Sequence, residues 1–403
     1  MPSPHPIFHP VLRLAVATGL LVMSFSLYAP VLAVMLQQRG HGSAVVGAFA
    51  MIGFTTIAVL IPFMPKILAY LGELRAYRIG MGLFLLSTLV YATVDYLPVW
   101  CVFAALGACG SAAVWNATEA LIARYSPSTQ RGRIMGLYQT LLGAAMAFGP
   151  FVPSLLQVSG GQALMVAAGV QGLGLLLVLK LPALPPVAPT VSRVHPHAGV
   201  SVAVPTGAGA ATGALTMTTW QALQAVPALA MLAFAGGVFE SGLSSVSAAY
   251  GAASGLSLAS AATIVGALGA GSFLFQFPAG LLADRAKPPR VFGAAGALLL
   301  ASSLALFITP EGALGLPWWL WACAFIWGGV GGALYTLTMV RVAHQFKGAD
   351  TAAGTAAMIT GYTLGGAAGP PVAGLALQWL GLPGLGLWLG VLSVVVLTLS
   401  KKT

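Results

Sequence analysis

Charged side chains are scarce in this chain of 403 residues, since only 6% of them are Asp, Glu, Lys or Arg while 58% are hydrophobic. Soluble domains typically carry about 25% charged residues, which keep their surfaces hydrated. A chain of this length with so little charge could not stay in solution, so the composition excludes a soluble protein. We therefore expect an integral membrane protein.

The sequence also has few of the groups that chemistry at a site usually needs. Its three cysteines lie inside apolar runs, where we interpret them as small packing residues. Its histidines near residue 5 and residue 195 have no thiols or carboxylates close by in sequence. No phosphate-binding loop of the G-x-x-x-x-G-K-[ST] type occurs, so ATP is not expected to drive the protein. We expect no metal site and no cofactor.

Long apolar runs fill most of the chain. A bilayer core takes about 20 apolar residues per helix, and runs of that length recur, whereas the alternation typical of a barrel is absent. We predict an all-α polytopic membrane protein with twelve transmembrane helices. The predicted spans are Val11 to Leu36, Ala44 to Leu71, Ala76 to Val94, Pro98 to Arg124, Arg133 to Gln157, Gln162 to Lys180, Gln221 to Tyr250, Ser257 to Ala283, Val291 to Thr309, Leu316 to Ala343, Asp350 to Trp379 and Leu382 to Leu399.

One long segment, Leu181 to Thr219, cannot cross a bilayer. Its repeated prolines stop helices, and its Gly, Ala and Thr residues offer no face for packing, so we interpret it as a mobile linker. The linker, residues 181–219, divides the chain into an N-terminal six-helix half, residues 1–180, and a C-terminal six-helix half, residues 220–403. We expect the two halves to be pseudo-symmetric.

The basic residues predict the orientation in the membrane. Of the 17 Lys and Arg residues, all but Arg39 fall on one side of the twelve-span map. The positive-inside rule places that side in the cytoplasm, together with both termini and the linker. The first span follows Arg13 and is too long for a signal peptide, so we expect an uncleaved helix. The net charge of +10 then follows from topology and calls for no nucleic-acid partner.

Small residues recur in the two predicted halves at a spacing of about 220 residues. The recurring sets are Gly107, Gly110 and Trp115 with Gly328, Gly331 and Thr336, and Gly149-Pro150 with Gly369-Pro370. Each glycine alone is explained by close helix packing. Their shared spacing indicates an internal duplication.

With two six-helix halves and a cytoplasmic linker, the chain resembles the major facilitator superfamily over nearly its whole length. The loop signature of that family, G-x-L-x-D-R, is present from Gly280 to Arg285, whereas the matching first-half loop has Ala69 in the place of the aspartate. The resemblance implies that these loops gate transport. The gating residues it implies are Gly280, Asp284, Arg285 and Arg290 in the second half and Gly72 and Arg75 in the first.

A second set of residues is similar to a poorly characterised bacterial branch of the same superfamily. The set comprises Glu119-Ala120-Leu121, Arg131-Gly132-Arg133 and Tyr138. Members of that branch are classed as transporters without an assigned substrate. The resemblance therefore implies transport across the bacterial inner (cytoplasmic) membrane and leaves the cargo open.

Two of the seven carboxylates, Glu119 and Glu240, fall inside predicted spans. A carboxylate in hydrocarbon is costly, so it usually faces a cavity or a partner and marks a substrate or proton path. Glu119 is five residues from Arg124 and could instead pair with the basic cluster at the inner face. Glu240 has no Lys or Arg in its own span, so it is the stronger candidate for a functional role.

Polar neighbours of the two glutamates complete the candidate site. Trp115 lies four residues before Glu119 and shares its face, with Asn116 beside it, and Ser244 lies four residues after Glu240. The family resemblance implies that the first, fourth, seventh and tenth helices line a central cavity. Lining residues from the first and tenth helices would be Ser24, Tyr28, Tyr335 and Thr338. For each aromatic residue, packing between helices remains an equal alternative.

No Lys or Arg lies at the middle depth of a predicted span, so an organic anion would lack a fixed counter-charge. We expect a proton-coupled secondary active transporter of a small neutral or cationic organic molecule, working as a monomer by alternating access, with the direction open. Its partners would be the substrate, protons and the lipid bilayer. The alternatives are a membrane-embedded receptor or scaffold, and a membrane-embedded enzyme. An enzyme is disfavoured because no histidine falls in the middle of a span.

Overall fold

The computed structural model describes residues 8–125, 131–158, 160–181, 217–308, 318–346 and 350–403, and every regular element in these ranges is helical. This agrees with the predicted fold class. The N-terminal set of helices comprises α1 (Phe8–Gln38), α2 (Ser43–Leu60), α3 (Met64–Leu71), α4 (Glu73–Thr93), α5 (Leu97–Tyr125), α6 (Arg131–Phe148), α7 (Val152–Leu156) and α8 (Gly160–Leu179). Short 3₁₀ turns, Ile61–Phe63 and Gly149–Phe151, join α2 to α3 and α6 to α7. Each turn contains a proline, which removes a helical hydrogen bond.

The C-terminal set comprises α9 (Thr219–Ala225), α10 (Pro227–Gly237), α11 (Ser244–Ala253), α12 (Leu258–Arg285), α13 (Pro288–Leu304), α14 (Trp319–Gln345) and α15 (Asp350–Ser400). A π-helical turn, Val238–Gly242, joins α10 to α11, and a 3₁₀ turn, Ala305–Ile308, follows α13. Most of the predicted linker, residues 182–216, lies outside the described residues. The predicted seventh span, Gln221 to Tyr250, comprises four consecutive elements: most of α9, then α10, the π turn and most of α11.

The structure agrees in part with the predicted number of membrane spans. Within the described ranges, nine helices are long and apolar enough to cross a membrane, or ten if α9 and the helix after it, which meet at a 102° bend, count as one span. One of the nine, α15, has 51 residues and a non-helical break at Gly381. The break divides α15 into two helical segments, residues 350–380 and 382–400, each of which is long enough for one crossing. The count of twelve spans stays a prediction.

Glycines let α10, α14 and α15 approach until their backbones touch. A Cβ added at Gly237 would overlap the carbonyl oxygen of Tyr362, and one added at Gly365 would overlap that of Phe234. On the other side of the π turn, a Cβ at Gly331 of α14 would lie 2.8 Å from the Glu240 nitrogen. Close approach through small residues is the usual packing of membrane helices. Here it holds the π turn between α14 and α15.

Of the small residues that recur in the sequence, the Gly-Pro pair makes similar contacts in the two sets, whereas Gly110 lies against Gly80 of α4 and Gly328 lies against Leu268 of α12. Gly149 lies against α1 at Met23 and Ser26, and Gly369 lies against the π turn at Val238 and Gly242. In each set the Gly-Pro pair thus packs on the first long helix of that set. The buried apolar residues form two clusters that follow the two sets closely, although the first also includes residues of α11 and α12.

The two sets make their closest contacts near one end of the molecule, which holds Arg39 and Asp95 and which we call the Arg39 end. At this end α2 packs on α15, where the Ala44 nitrogen donates to Gln378 Oε1 at 3.2 Å and a Cβ at Gly47 would overlap the Pro370 carbonyl. On the other side of the molecule, Phe151 lies against Gly266 of α12. These contacts close the Arg39 end of the space between the two sets.

Candidate functional site

A cavity of about 240 Å³ lies where the two sets of helices meet. It is lined by α1, α2, α4, α5 and α6 of the N-terminal set and by the π turn, α11, α12 and α15 of the C-terminal set. Among the described residues that line it, Glu240 is the one carboxylate, and Lys, Arg and His do not occur. A cavity between helix sets with a single buried acidic group is the strongest candidate site in the described part of the chain.

The two sides of the cavity differ in chemistry, although Phe273 of α12 adds a ring to the C-terminal side and Ser26 and Ser111 add hydroxyl groups to the N-terminal side. Aromatic rings from the N-terminal set cover one side, which we call the aromatic wall: Phe25, Tyr28, Phe49, Phe54, Phe84, Tyr91 and Trp115. Hydrogen-bonding groups from the C-terminal set cover the other side, which we call the polar wall: Glu240, Ser241, Ser244, Ser245, Ser272, Gln276, Tyr362 and Thr363. The polar groups on the N-terminal side are partly engaged already, since Asn116 donates to the Ala112 carbonyl at 2.8 Å.

The rings of the aromatic wall support one another. The Tyr28 ring centroid lies 5.6 Å from that of Phe25, 5.8 Å from that of Phe84 and 6.0 Å from that of Tyr91, all edge-on or tilted. Such geometries are the favoured ones for aromatic pairs, and each ring restricts its neighbours. These contacts restrict the movement of the rings around Tyr28.

Glu240 is buried, with 5% of its surface exposed. Its Oε1 accepts a hydrogen bond from Ser272 Oγ at 2.5 Å, and its Oε2 accepts one from the Tyr362 hydroxyl at 2.9 Å. The Gln276 amide donates to Ser272 Oγ at 3.4 Å, at the edge of hydrogen-bond distance. Both carboxyl oxygens thus have neutral donors from other helices. Without a cation, these hydrogen bonds are the principal compensation for the buried charge.

The hydrogen bonds around Glu240 can reverse direction. The Tyr362 hydroxyl is also 2.6 Å from Ser241 Oγ, and either atom can be the donor of that bond. When Glu240 is ionised, Ser241 donates to Tyr362, which donates to Glu240. When Glu240 is protonated, it can donate to Tyr362, which then donates to Ser241, because a hydroxyl both donates and accepts. The site can satisfy both protonation states without moving a heavy atom.

The π turn presents Glu240 to the cavity. Single π turns interrupt α-helices most often at functional sites, because the extra residue redirects the side chains around it. A Cβ added at Gly332 of α14 would lie 3.0 Å from Glu240 Oε1 and 3.1 Å from Ser272 Oγ. A larger residue at position 332 would crowd the carboxylate, so the adjacent glycines of α14 create the space that Glu240 occupies.

The structure brings five of the predicted site residues to the cavity, namely Glu240, Ser244, Tyr28, Trp115 and Asn116. The two candidates from α14 do not line it. Tyr335 is buried behind the polar wall, with its ring centroid 4.7 Å from that of Tyr362, and Thr338 is fully buried with its hydroxyl donating to the Tyr335 carbonyl at 2.8 Å. Ser24 is also buried and donates to the Ala167 carbonyl at 3.0 Å.

The remaining predicted residues lie away from the cavity or outside the described part of the structure. Glu119 is in α5 and Asp284 is in α12, but the side chains of both lie outside the described residues. Among the other residues of the predicted gating loops, Arg75, Arg285 and Arg290 are exposed near helix ends. Gly280 lies in the last turns of α12, and Gly72 has a φ of +80° between α3 and α4. The roles of all these residues stay predictions.

Six residues of the polar wall were missed by sequence reasoning: Ser241, Ser245, Ser272, Gln276, Tyr362 and Thr363. Ser272 and Gln276 are four residues apart in the apolar middle of α12, so their shared face was a readable signal. Tyr362 gave no such signal. It lies on α15, whereas the family resemblance pointed to the first, fourth, seventh and tenth helices.

Comparisons with known proteins agree on one family. The sequence profile of the Major Facilitator Superfamily matches residues 14–316 and again residues 229–401. The uncharacterized MFS-type transporter YfkF of Bacillus subtilis (strain 168) is 23% identical over 349 residues, which are 87% of this chain and 84% of that protein. The crystal structure of the nucleoside transporter NupG has a TM-score of 0.73 at 14% identity, covering 97% of each chain. A point variant of NupG has a TM-score of 0.72 at 13% identity. The two structures share this fold.

Proposed function

Because this chain belongs to the major facilitator superfamily, we propose that it is a proton-coupled secondary active transporter of a small neutral or cationic organic molecule. It is an integral membrane protein and a transporter rather than an enzyme. The coupling proposal rests on the position of Glu240. This buried carboxylate lies in the cavity between the two helix sets and accepts hydrogen bonds from two hydroxyl groups. An ionisable group at such a place is the expected carrier of a coupling proton.

Alternating access explains the contacts between the two sets. The close packing of α2 on α15 closes the Arg39 end, so this arrangement is one of the two states that the mechanism requires. In the other state this packing would separate and the opposite end would close. Substrate and proton shift the balance between the states by the difference in their affinities for each.

The proposed architecture is twelve helices in two six-helix halves, residues 1–180 and 220–403, acting as a monomer in the bacterial inner membrane. The recurring Gly-Pro contacts support the duplication. We place both termini and the linker in the cytoplasm. The exceptional Arg39 fits this orientation, because it pairs with Asp95 at 2.9 Å and its guanidinium carbon lies 4.4 Å from the centroid of the Trp100 ring. One arginine on this side, against the other Lys and Arg residues on the opposite side, leaves the positive-inside bias in place.

A topology reporter tests this orientation. A reporter enzyme that works only outside the cytoplasm, fused near Gly207, is expected to be inactive, because the basic ends of the flanking helices hold the linker inside. The same reporter inserted at Gly40, between α1 and α2, is expected to be active. Activity at Gly207 would overturn the proposed orientation.

Tyr362→Phe tests the reversible hydrogen-bond chain. The variant keeps the ring that packs on Tyr335 and removes the hydroxyl that faces Glu240. We expect proton-driven transport to fall by about ten- to a hundredfold with little loss of folded protein, since one hydrogen bond to a charged group contributes about 1.5–3 kcal/mol. Substrate exchange without a pH gradient should fall less. Equal loss of both activities would show that the hydroxyl serves the structure and not the proton.

A transport assay tests the proposed function itself. The purified full chain in proteoliposomes is exposed to candidate compounds while a trapped dye reports the internal pH. Transport of a compound by the protein is expected to change the internal pH, because it is coupled to proton movement. Liposomes without the protein should show no change in pH. A receptor or scaffold would bind compounds without transporting the compound or protons. Transport that no pH gradient drives and that moves no protons would contradict the coupling proposal.

A further inference from the structure

We propose that the cavity takes an amphipathic organic cation, whose ring packs on the aromatic wall and whose positive centre pairs with Glu240. This inference rests on the proposed function and narrows its substrate from neutral or cationic molecules to cations. In this proposal Glu240 binds either the substrate cation or a proton. The cation and the proton compete for Glu240.

Charge is the first argument. Glu240 is the only carboxylate among the described lining residues, and no Lys, Arg or His lies among them to balance it. A substrate that fills the cavity displaces water, which lowers the local dielectric constant and raises the cost of an unpaired charge. A cationic substrate removes that cost by pairing with the carboxylate. A neutral substrate leaves that cost in place unless a proton neutralises Glu240, and an anion adds to it.

The division of the cavity into two walls is the second argument. The polar wall concentrates hydrogen-bonding groups around Glu240, and the aromatic wall faces it with rings that Tyr28 holds in place. Ring faces and edges favour flat apolar groups, and their faces also attract cations. A molecule with a ring at one end and a positive centre at the other matches both walls. At about 240 Å³ the cavity suits a small compound.

Few other groups can respond to pH near Glu240. Among the described residues of the elements packed against its π turn, the titratable side chains that lie beside it are Tyr335 from α14 and Tyr362 from α15. On α12 the neighbouring groups are Ser272 and Gln276, and the exposed Arg285 lies 13 residues beyond Ser272, which is roughly 20 Å along the helix. Neither tyrosine changes charge in mildly acidic solution. A change in cation affinity over that pH range therefore reports the carboxylate.

Equilibrium binding to the purified full chain tests the inference with four probes. Phenyltrimethylammonium carries a ring and a permanent charge, tetramethylammonium carries the charge alone, benzamide is neutral and benzoate is an anion. We expect phenyltrimethylammonium to bind at least tenfold more tightly than each of the other three probes. Its affinity should fall by up to about tenfold per unit as the pH falls and protons occupy the carboxylate. Tighter binding of benzamide or benzoate would overturn the inference.

Matched variants assign these effects to residues. Glu240→Gln keeps the size of the side chain and should lower the affinity for phenyltrimethylammonium at least tenfold and remove its pH dependence. Glu73→Gln changes the net charge equally at the start of α4, away from the cavity, and should leave binding unchanged. Phe84→Leu should weaken the binding of phenyltrimethylammonium more than that of tetramethylammonium. An unchanged pH dependence in Glu240→Gln, or equal effects of Phe84→Leu on both probes, would refute the proposed contacts.

The inference and the proposed function can fail separately. Uridine, a neutral compound with a ring and hydroxyl groups, serves as a competitor because the structural neighbour NupG is a nucleoside transporter. If uridine binds more tightly than phenyltrimethylammonium and is driven by a pH gradient, the proposed function holds and the cation inference is wrong. If the cation binds as expected but no substrate moves protons, the coupling proposal fails while the inference about the site stands.

Discussion

Replacement of Glu240 by glutamine is expected to abolish proton-driven accumulation of the substrate, while downhill exchange persists at substrate concentrations high enough to offset the weaker binding. Glutamine keeps the size of the side chain and can still accept a hydrogen bond from Ser272 or Tyr362, but it cannot take up and release a proton. For one coupled proton, a gradient of one pH unit supplies about 1.4 kcal/mol, which is about a tenfold concentration ratio. We expect that ratio in wild-type proteoliposomes and a ratio of about 1 in the variant, measured with labelled substrate.

The matching variant Glu119→Gln provides the comparison. If Glu119 pairs chiefly with the nearby Arg124, Arg131 or Arg133 and does not carry the coupling proton, its neutralisation leaves a positive group without a partner. Protein yield and thermal stability should then fall together with every mode of transport. The opposite pattern, in which only exchange survives in Glu119→Gln while Glu240→Gln is unstable, would mean that the roles of the two glutamates are reversed.

Gly237→Ala is expected to have the largest effect on stability. Its new methyl group would overlap the Tyr362 carbonyl, which belongs to the backbone of α15 and cannot rotate away. Separation of α10 from α15 would disturb both the π turn and the hydrogen bond from Tyr362 to Glu240. We expect a loss of roughly 3 kcal/mol or more, at the upper end of the usual cost of overpacking. Thermal unfolding in detergent measures this loss as a lower midpoint temperature.

The helical Gly82 of α4 offers a control for the same substitution, since a Cβ there meets nothing within 4 Å. Gly82→Ala should leave the unfolding temperature unchanged, or raise it slightly, because alanine favours helix by up to about 1 kcal/mol. A Gly237→Ala protein as stable as wild type would show that α10 and α15 are not in backbone contact.

Much of the fold was predictable because the bilayer restricts the solutions. With so few charges and so many apolar runs, the chain has to form helices that satisfy their own backbone groups. The breaks inside the predicted seventh span were less clear. Pro227 is a readable signal for the bend after α9, since it disfavours helical geometry at Val226, whose φ is −131°. The π turn at Glu240 had no comparable signal, because it depends on how α14 and α15 pack around it.

The candidate site was predictable only where charge marks a residue. Glu240 stands out because a carboxylate in an apolar span requires an explanation. Hydroxyl groups do not stand out, since most of them satisfy the backbone of their own helix, as Ser87 does by donating to the Leu83 carbonyl at 2.9 Å. Ser272 differs from Ser87 only in what lies opposite it in space, and Tyr362 resembles the other buried tyrosines until its neighbours are known. For such residues the tertiary packing decides the role, and a single sequence does not contain it.

The central claim is that Glu240 takes up a proton within the membrane, and infrared titration tests it most directly. The chain has only seven Asp and Glu residues, so the carbonyl band of protonated carboxyl groups is sparse enough to assign. We predict a band that grows as the pH falls, persists in Glu119→Gln and is absent from Glu240→Gln. If the same band titrates unchanged in Glu240→Gln, another group carries the proton and the account is wrong.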